Sequence, residues 1–197
     1  MVRRYGLAIA AVAACVTFPA AAQMQGGGGG DESHLVPSQS LPPDPEGKAE
    51  DLRLAGKCDE AIPILRRMVS YGDIYELSQY NLGLCLLDVA KTQAEPQRTA
   101  SQQEAAVFML KAANHNLPKA QASLVEMYLD GVGVARDPLQ AGTWALIYRA
   151  NGQRFALGLP NISDALQARL DAVLTDVTWE QARARANAWT PVAPKEQ

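Results

Sequence analysis

Two histidines, three cysteines and an aromatic fraction of 6% leave this 197-residue chain little of the usual chemistry-bearing inventory. His34 stands in a Gly/Pro-rich stretch and His115 in the polar turn Asn114-His115-Asn116, and neither belongs to a metal-ligand pattern. There is no H-E-x-x-H, no G-x-S-x-G, no P-loop and no G-x-G-x-x-G, which excludes the common zinc-hydrolase, serine-hydrolase and nucleotide-loop signatures. No serine is followed three residues on by lysine, so the serine-enzyme motif of β-lactamases is missing too. No C-x-x-C and no Cys/His cluster is present. Basic residues number 18 against 21 acidic ones, without a Lys/Arg-rich run or a basic stripe, which argues against nucleic acid or an anionic membrane as the main partner. No catalytic residue, cofactor or metal is therefore expected. Asp130 and Asp137 flank a glycine turn, but their spacing is not that of an EF-hand loop, and Asp137 reads better as a helix cap.

What is present begins with an export pattern. Arg3 and Arg4 precede an apolar run from Leu7 to Phe18, and Pro19-Ala20-Ala21-Ala22 supplies small residues before Gln23. The run is too short to cross a bilayer, which needs about 20 apolar residues. Cleavage near Ala22 is expected, taking the net charge from −3 to −5 by removing the two arginines and delivering the chain to the periplasm or beyond. A second reading stays open: Val12-Ala13-Ala14-Cys15 resembles a lipobox, so membrane association is expected only if Cys15 is lipidated. Residues 23–45, with the glycine run Gly26–Gly30 and Pro37, Pro42, Pro43 and Pro45, bury too little apolar surface to offset ordering entropy and read as a tether. The tail 190–197 reads as frayed.

Residues 46–189 break into helices with legible ends, and no alternating strand pattern interrupts them. Helices are expected over 45–55, stopped by Gly56; from Asp59 to Gly72; and from Asp73, paired with Glu76, to Asp88. In this third helix Leu77, Tyr80, Leu84 and Leu87 form the apolar face. Further helices follow from Ser101, paired with Glu104; over 118–129; from Asp137-Pro138 to Asn151-Gly152; over 163–174; and from Thr178, paired with Gln181, to Trp189.

These helices pair, and the pairs repeat. Ala61, Ala105 and Ala141 hold equivalent places, each followed three residues on by a bulky residue: Ile64, Phe108 and Trp144. Leu82 to Asp88 and Leu124 to Asp130 align with an offset of 42 residues, whereas the second helices are offset by 36. The difference is read as an insertion within 89–100. The stretch Ala122 to Val134, with Leu124, Tyr128, Gly131 and Gly133, followed by Asp137, Ala141 and Trp144, closely resembles the Sel1-like repeat, a tetratricopeptide relative. Residues 78–113 match in part, through Leu82-Gly83 and Lys111-Ala112-Ala113, while 46–70 fit a generic tetratricopeptide pair.

The resemblance implies an all-α fold, a short right-handed α-solenoid of antiparallel helix pairs with C-terminal capping helices carrying Trp179 and Trp189. It implies a scaffold role for Leu82, Gly83, Ala105, Phe108, Leu124, Tyr128, Gly131, Gly133, Asp137, Ala141 and Trp144. It also implies a non-catalytic adaptor or regulator that binds a protein or peptide partner through a groove lined by the first helix of each pair. Tyr75, Gln79 and Tyr80 are the candidate groove residues. Two other functions are kept: a cell-wall-directed enzyme of the Sel1-like, β-lactamase-labelled type, and a lipid-anchored structural envelope component.

The cysteines give a geometric test. If the second and third helices are antiparallel about Tyr71-Gly72, Cys58 lies about 14 residues before the turn and Cys85 about 13 after it, so the two should meet. The alternative is two free buried thiols.

Overall fold

The computed structural model describes residues 43–193. Among the described residues the elements are α1 (Pro45–Leu54), α2 (Cys58–Val69), α3 (Glu76–Ala90), α4 (Gln97–Asn114), α5 (Pro118–Asp130), α6 (Pro138–Ala150), α7 (Gly152–Ala156), α8 (Asp164–Asp171) and α9 (Asp176–Ala188), with no strand. The expected export signal, the lipobox cysteine and nearly all of the tether lie outside the described residues.

Each helix from α1 to α6 packs on the next, and short turns make successive helices antiparallel. α9 then lies on α6. Two apolar cores result. One joins α1 to α4 through Ala49, Leu52, Ala61, Leu65, Leu82, Leu86 and Ala105. The other joins α4, α5, α6 and α8 through Met109, Leu124, Val125, Trp144, Ile147, Leu166 and Leu170, with Trp179 and Ala186 of α9 packed against it. Both cores and the one disulfide lie within residues 49–174, inside the unit formed by residues 40–197. This is the nearest-neighbour architecture of an α-solenoid.

Several helix ends follow the local signals. Asp137 caps α6 by accepting from the Gln140 amide at 3.0 Å, with Pro138 at the first helical position. Ser163 caps α8, accepting from the Leu166 amide at 3.2 Å. Gly131 ends α5 in the left-handed region at φ 75°.

Other ends differ from the sequence reading, each for a physical reason. α3 opens at Glu76, with Tyr75 in the capping position and no side-chain cap, because residues 70–75 are used to reverse the chain. Asp59 stands inside the first turn of α2, where its charge complements the helix dipole, and Lys57 precedes the helix. α4 starts at Gln97, so part of the expected 89–100 insertion becomes helix. The Glu95 carboxylate takes the capping role expected of Ser101, accepting from the Thr99 amide at 3.2 Å and the Thr99 hydroxyl at 2.7 Å. Those bonds hold the Glu95 carboxyl below its ordinary pKa. α9 is opened by Thr175, with Thr178 as its reciprocal capping-box partner. The short α7 was not expected. Asn151 caps it, accepting from the Gln153 amide at 2.8 Å.

The C-terminal stretch is also not loose where it is described. Trp189 packs edge-on against Trp144 at 6.0 Å between ring centroids. The Val192 amide donates to the Asn114 carbonyl at 2.8 Å, and the Val192 carbonyl meets His115 Nδ1 at 2.9 Å. Residues 190–193 therefore strap the α4–α5 turn, and His115 is a partner of that strap.

Candidate partner-binding site

Helix α3 carries its two faces in an unexpected order. Leu82, Cys85 and Leu86 are buried, and so are the polar Ser78, Gln79 and Asn81. Tyr80, Leu84 and Leu87, at i, i+4 and i+7, form a ridge that is only half-buried. Packing order explains this. α3 is held between α2 and α4, and close approach there favours small residues. A Cβ on Gly83 would lie 2.9 Å from Met109 Cε and 3.2 Å from the Ala105 carbonyl oxygen of α4. The bulky stripe is thus left on the side shared with α1 and α5.

Tyr80 ties these first helices together. Its hydroxyl is hydrogen-bonded to the Ser123 side chain of α5, and the charges of Arg53 and Glu50 on α1 reach it. Glu50 and Arg53 are themselves 3.7 Å apart. Burial, the largest influence, raises the Tyr80 pKa above its ordinary 10.0, outweighing the Ser123 bond and Arg53. Burial, with a smaller push from Asp137, raises Tyr128 as well.

A raised folded-state pKa contributes stability that is complete below the unfolded value and lost as pH climbs through the folded one. The unfolding free energy is therefore expected to decline from about pH 10 upward. Tyr80→Phe is expected to make that decline shallower in denaturant titrations at stepped pH. An unchanged slope would place Tyr80 in water.

Of the other candidate groove residues, Tyr75 sits half-buried at the mouth of α3, its ring 6.4 Å from that of Tyr71. Gln79 is placed in the interior: it is 1% exposed and its Oε1 has no partner among the described residues. The signal that it faces inward is its position beside Leu82 and Leu86 on the helix wheel, away from Tyr80.

The repeat residues form the frame of this site. Leu82, Ala105, Leu124 and Ala141 are fully buried, Trp144 is nearly so, and Phe108 and Tyr128 are half-buried. Gly133 has φ 71°, and a Cβ there would stand 2.0 Å from the Gln102 carbonyl oxygen, so the turn after α5 lies directly on α4. Arg66 of α2 pairs with Glu104 of α4, with a second contact at 2.8 Å. Cys58 and Cys85 form a disulfide with Cα atoms 5.0 Å apart, within the ordinary range.

Sequence reasoning missed a cleft of about 480 Å³ beside α6, bordered by Asn116, Arg149, Asn151, Arg183 and Trp189. Its wall is fixed by the Asn151 amide, which donates to the Asn116 carbonyl at 3.1 Å and to Gln121 Oε1 at 2.8 Å. A smaller cavity of about 190 Å³ shares Leu146 and Arg149 and adds Ile162 and Trp179. Asn-Gly and the two arginines were visible in the sequence, but nothing local joined them to Asn116.

Among the described residues, no three His, Cys, Asp or Glu side chains gather as a metal site, and no helix is long and apolar enough to cross a membrane.

No protein-family model matches the chain, and no curated protein is similar to it in sequence. Among solved structures it is similar to a protective antigen present in uropathogenic Escherichia coli strains, whose crystal structure displays an SLR (Sel1-like repeat) fold. The two share 25% identity with a TM-score of 0.58 over 74% of this chain. This chain spans 29% of that protein's length. The fold is thus a Sel1-like repeat α-solenoid.

Proposed function

We propose that this is an exported, non-catalytic repeat protein that binds a protein or peptide segment along the side formed by α1, α3 and α5. The observation that carries the reading is the half-buried ridge Tyr80–Leu84–Leu87, kept open while polar side chains of the same helix are buried. An apolar stripe at helical spacing between two flanking helices suits the apolar side of a bound segment. The Glu50–Arg53 pair and Tyr75 stand beside it to orient polar groups. Export is supported by the N-terminal pattern of charged, apolar and small residues and by a disulfide, which persists in oxidising compartments. Likeness to a protective antigen agrees with it.

The test is capture from the cell envelope after crosslinking in cells. One or two reproducible protein partners are expected, and these should be lost from the Tyr80→Ala/Leu84→Ala variant although it still melts cooperatively. Recovery without a protein partner, or with wall fragments alone, would overturn the reading in favour of an enzyme acting on the wall.

A further inference from the structure

Antiparallel packing brings every second turn to one edge of the array. The turn between α2 and α3, the turn between α4 and α5, and the α6–α7 junction share this edge. The Asn151–Asn116 bond ties the last two directly, and the strap at Val192 lies on the same side. Two properties concentrate there.

The first is charge. Residues 66–78, 111–121 and 149–158 hold six basic side chains and the acidic Asp73 and Glu76, a net sequence charge of +4. Arg66 is paired with Glu104 of α4 and Arg154 is buried, so the exposed cations that act here are Lys111, Lys119 and Arg149. The turns of the opposite edge, residues 50–60, 88–98 and 126–137, hold nine acidic and five basic side chains, a net of −4. Basic last turns of α2, α4 and α6 complement the helix dipoles. Capping does not account for the whole excess, because Lys119 lies in the first turn of α5, where a cation is disfavoured.

The second is exposed apolar surface. Of the nine large hydrophobic side chains exposed among the described residues, five stand on this edge: Tyr71, Ile74, Phe155, Leu157 and Val192. Phe155 and Leu157 are 64% and 60% exposed. Tyr71 and Ile74 lie in the α2–α3 turn, Phe155 and Leu157 in and just after α7, and Val192 in the strap. The cleft bordered by Arg149 also opens here. No carboxylate lines it, although Arg183 at its rim pairs with Glu180.

We infer that this edge docks on an anionic phospholipid surface. Cations within a Debye length of anionic lipid each strengthen binding, and amphipathic or apolar tips seat in the interfacial layer. Five exposed apolar side chains beside the exposed Lys111, Lys119 and Arg149 match the combined apolar and anionic character of a lipid interface, whereas a soluble acidic peptide would use the cations alone. The inference stands apart from the groove reading, since it uses neither the Tyr80 ridge nor a protein partner.

The experiment is co-sedimentation of the chain beginning at Gln23, which retains the whole described fold, with phosphatidylglycerol-containing and purely phosphatidylcholine vesicles. At low salt, binding to the anionic vesicles is expected to be at least about tenfold stronger and to weaken several-fold at 300 mM salt. Ile74→Ser/Phe155→Ser and Lys111→Glu/Lys119→Glu, all at exposed positions, are each expected to lower it at least about fivefold with little change in Tm. Failure of the unaltered chain to bind anionic vesicles would overturn the inference. So would binding by both variants as strong as that of the unaltered chain, or binding to soluble polyglutamate but not to vesicles.

Discussion

Gly133→Ala is expected to lower the unfolding free energy by about 3–5 kcal/mol, whereas Gly131→Ala, two residues away, costs about 1 kcal/mol. Both glycines have positive φ, 75° at Gly131 and 71° at Gly133, so each substitution carries the backbone penalty of the left-handed region. The difference lies in what the new methyl group meets. At Gly131 the nearest atom is Arg136 Cβ at 3.2 Å, which a small turn adjustment relieves. At Gly133 it meets the Gln102 carbonyl oxygen at 2.0 Å and carbon at 2.6 Å, both backbone atoms of α4. Relief there requires the turn to lift from α4, and Ala106 Cβ at 3.2 Å blocks a sideways shift. Chemical denaturation of the two variants gives the ratio directly. Equal effects would mean that the turn does not rest on α4.

Loss of the Cys58–Cys85 bond has a comparable effect. A sequence separation of 27 corresponds to about 3.5 kcal/mol in the chain-entropy model. For a domain of this size that is a Tm decrease of roughly 7–14 °C. Thermal melts with and without reductant should show it, and the Cys58→Ala/Cys85→Ala variant should melt at the lower temperature whether or not reductant is present. Because the bond sets α2 against α3, its removal should also weaken partner capture at the Tyr80 ridge. A Tm insensitive to reductant would show that the helix pair holds its register without the crosslink.

Most of the fold was legible because its signals act over a few residues. Asp137-Pro138, Gly131 and Ser163 mark helix ends by rules of capping and positive φ that need only the local chain. The cysteine pair followed from equal distances to one turn. The misread ends have a common cause. Glu95 caps α4 from two positions before its first residue, Thr178 answers Thr175 where Glu or Gln is the usual partner, and Asp73 makes no cap because the reversal at Gly72 uses those residues. Competing caps a few residues apart look alike in sequence, and the tertiary path selects among them.

The sequence by itself determined the class of this protein: an all-helical chain of paired repeats, a glycine turn in the best-matched repeat, two cysteines at equal distances from one turn, and an inventory poor in catalytic groups. Tertiary structure decided which faces are shared. Hydrophobic periodicity names an apolar stripe without saying which neighbours will cover it, and on α3 the close approach of α2 and α4 buried Gln79 and Asn81 and left Tyr80, Leu84 and Leu87 half-open. The same holds for charge. Lys111, Lys119 and Arg149 are scattered in a chain of net charge −3, with no basic run to mark them, yet the alternation of helix direction collects them on one edge. Burial and charge clustering depend on distances across the array, and those distances exist only once the helices have packed.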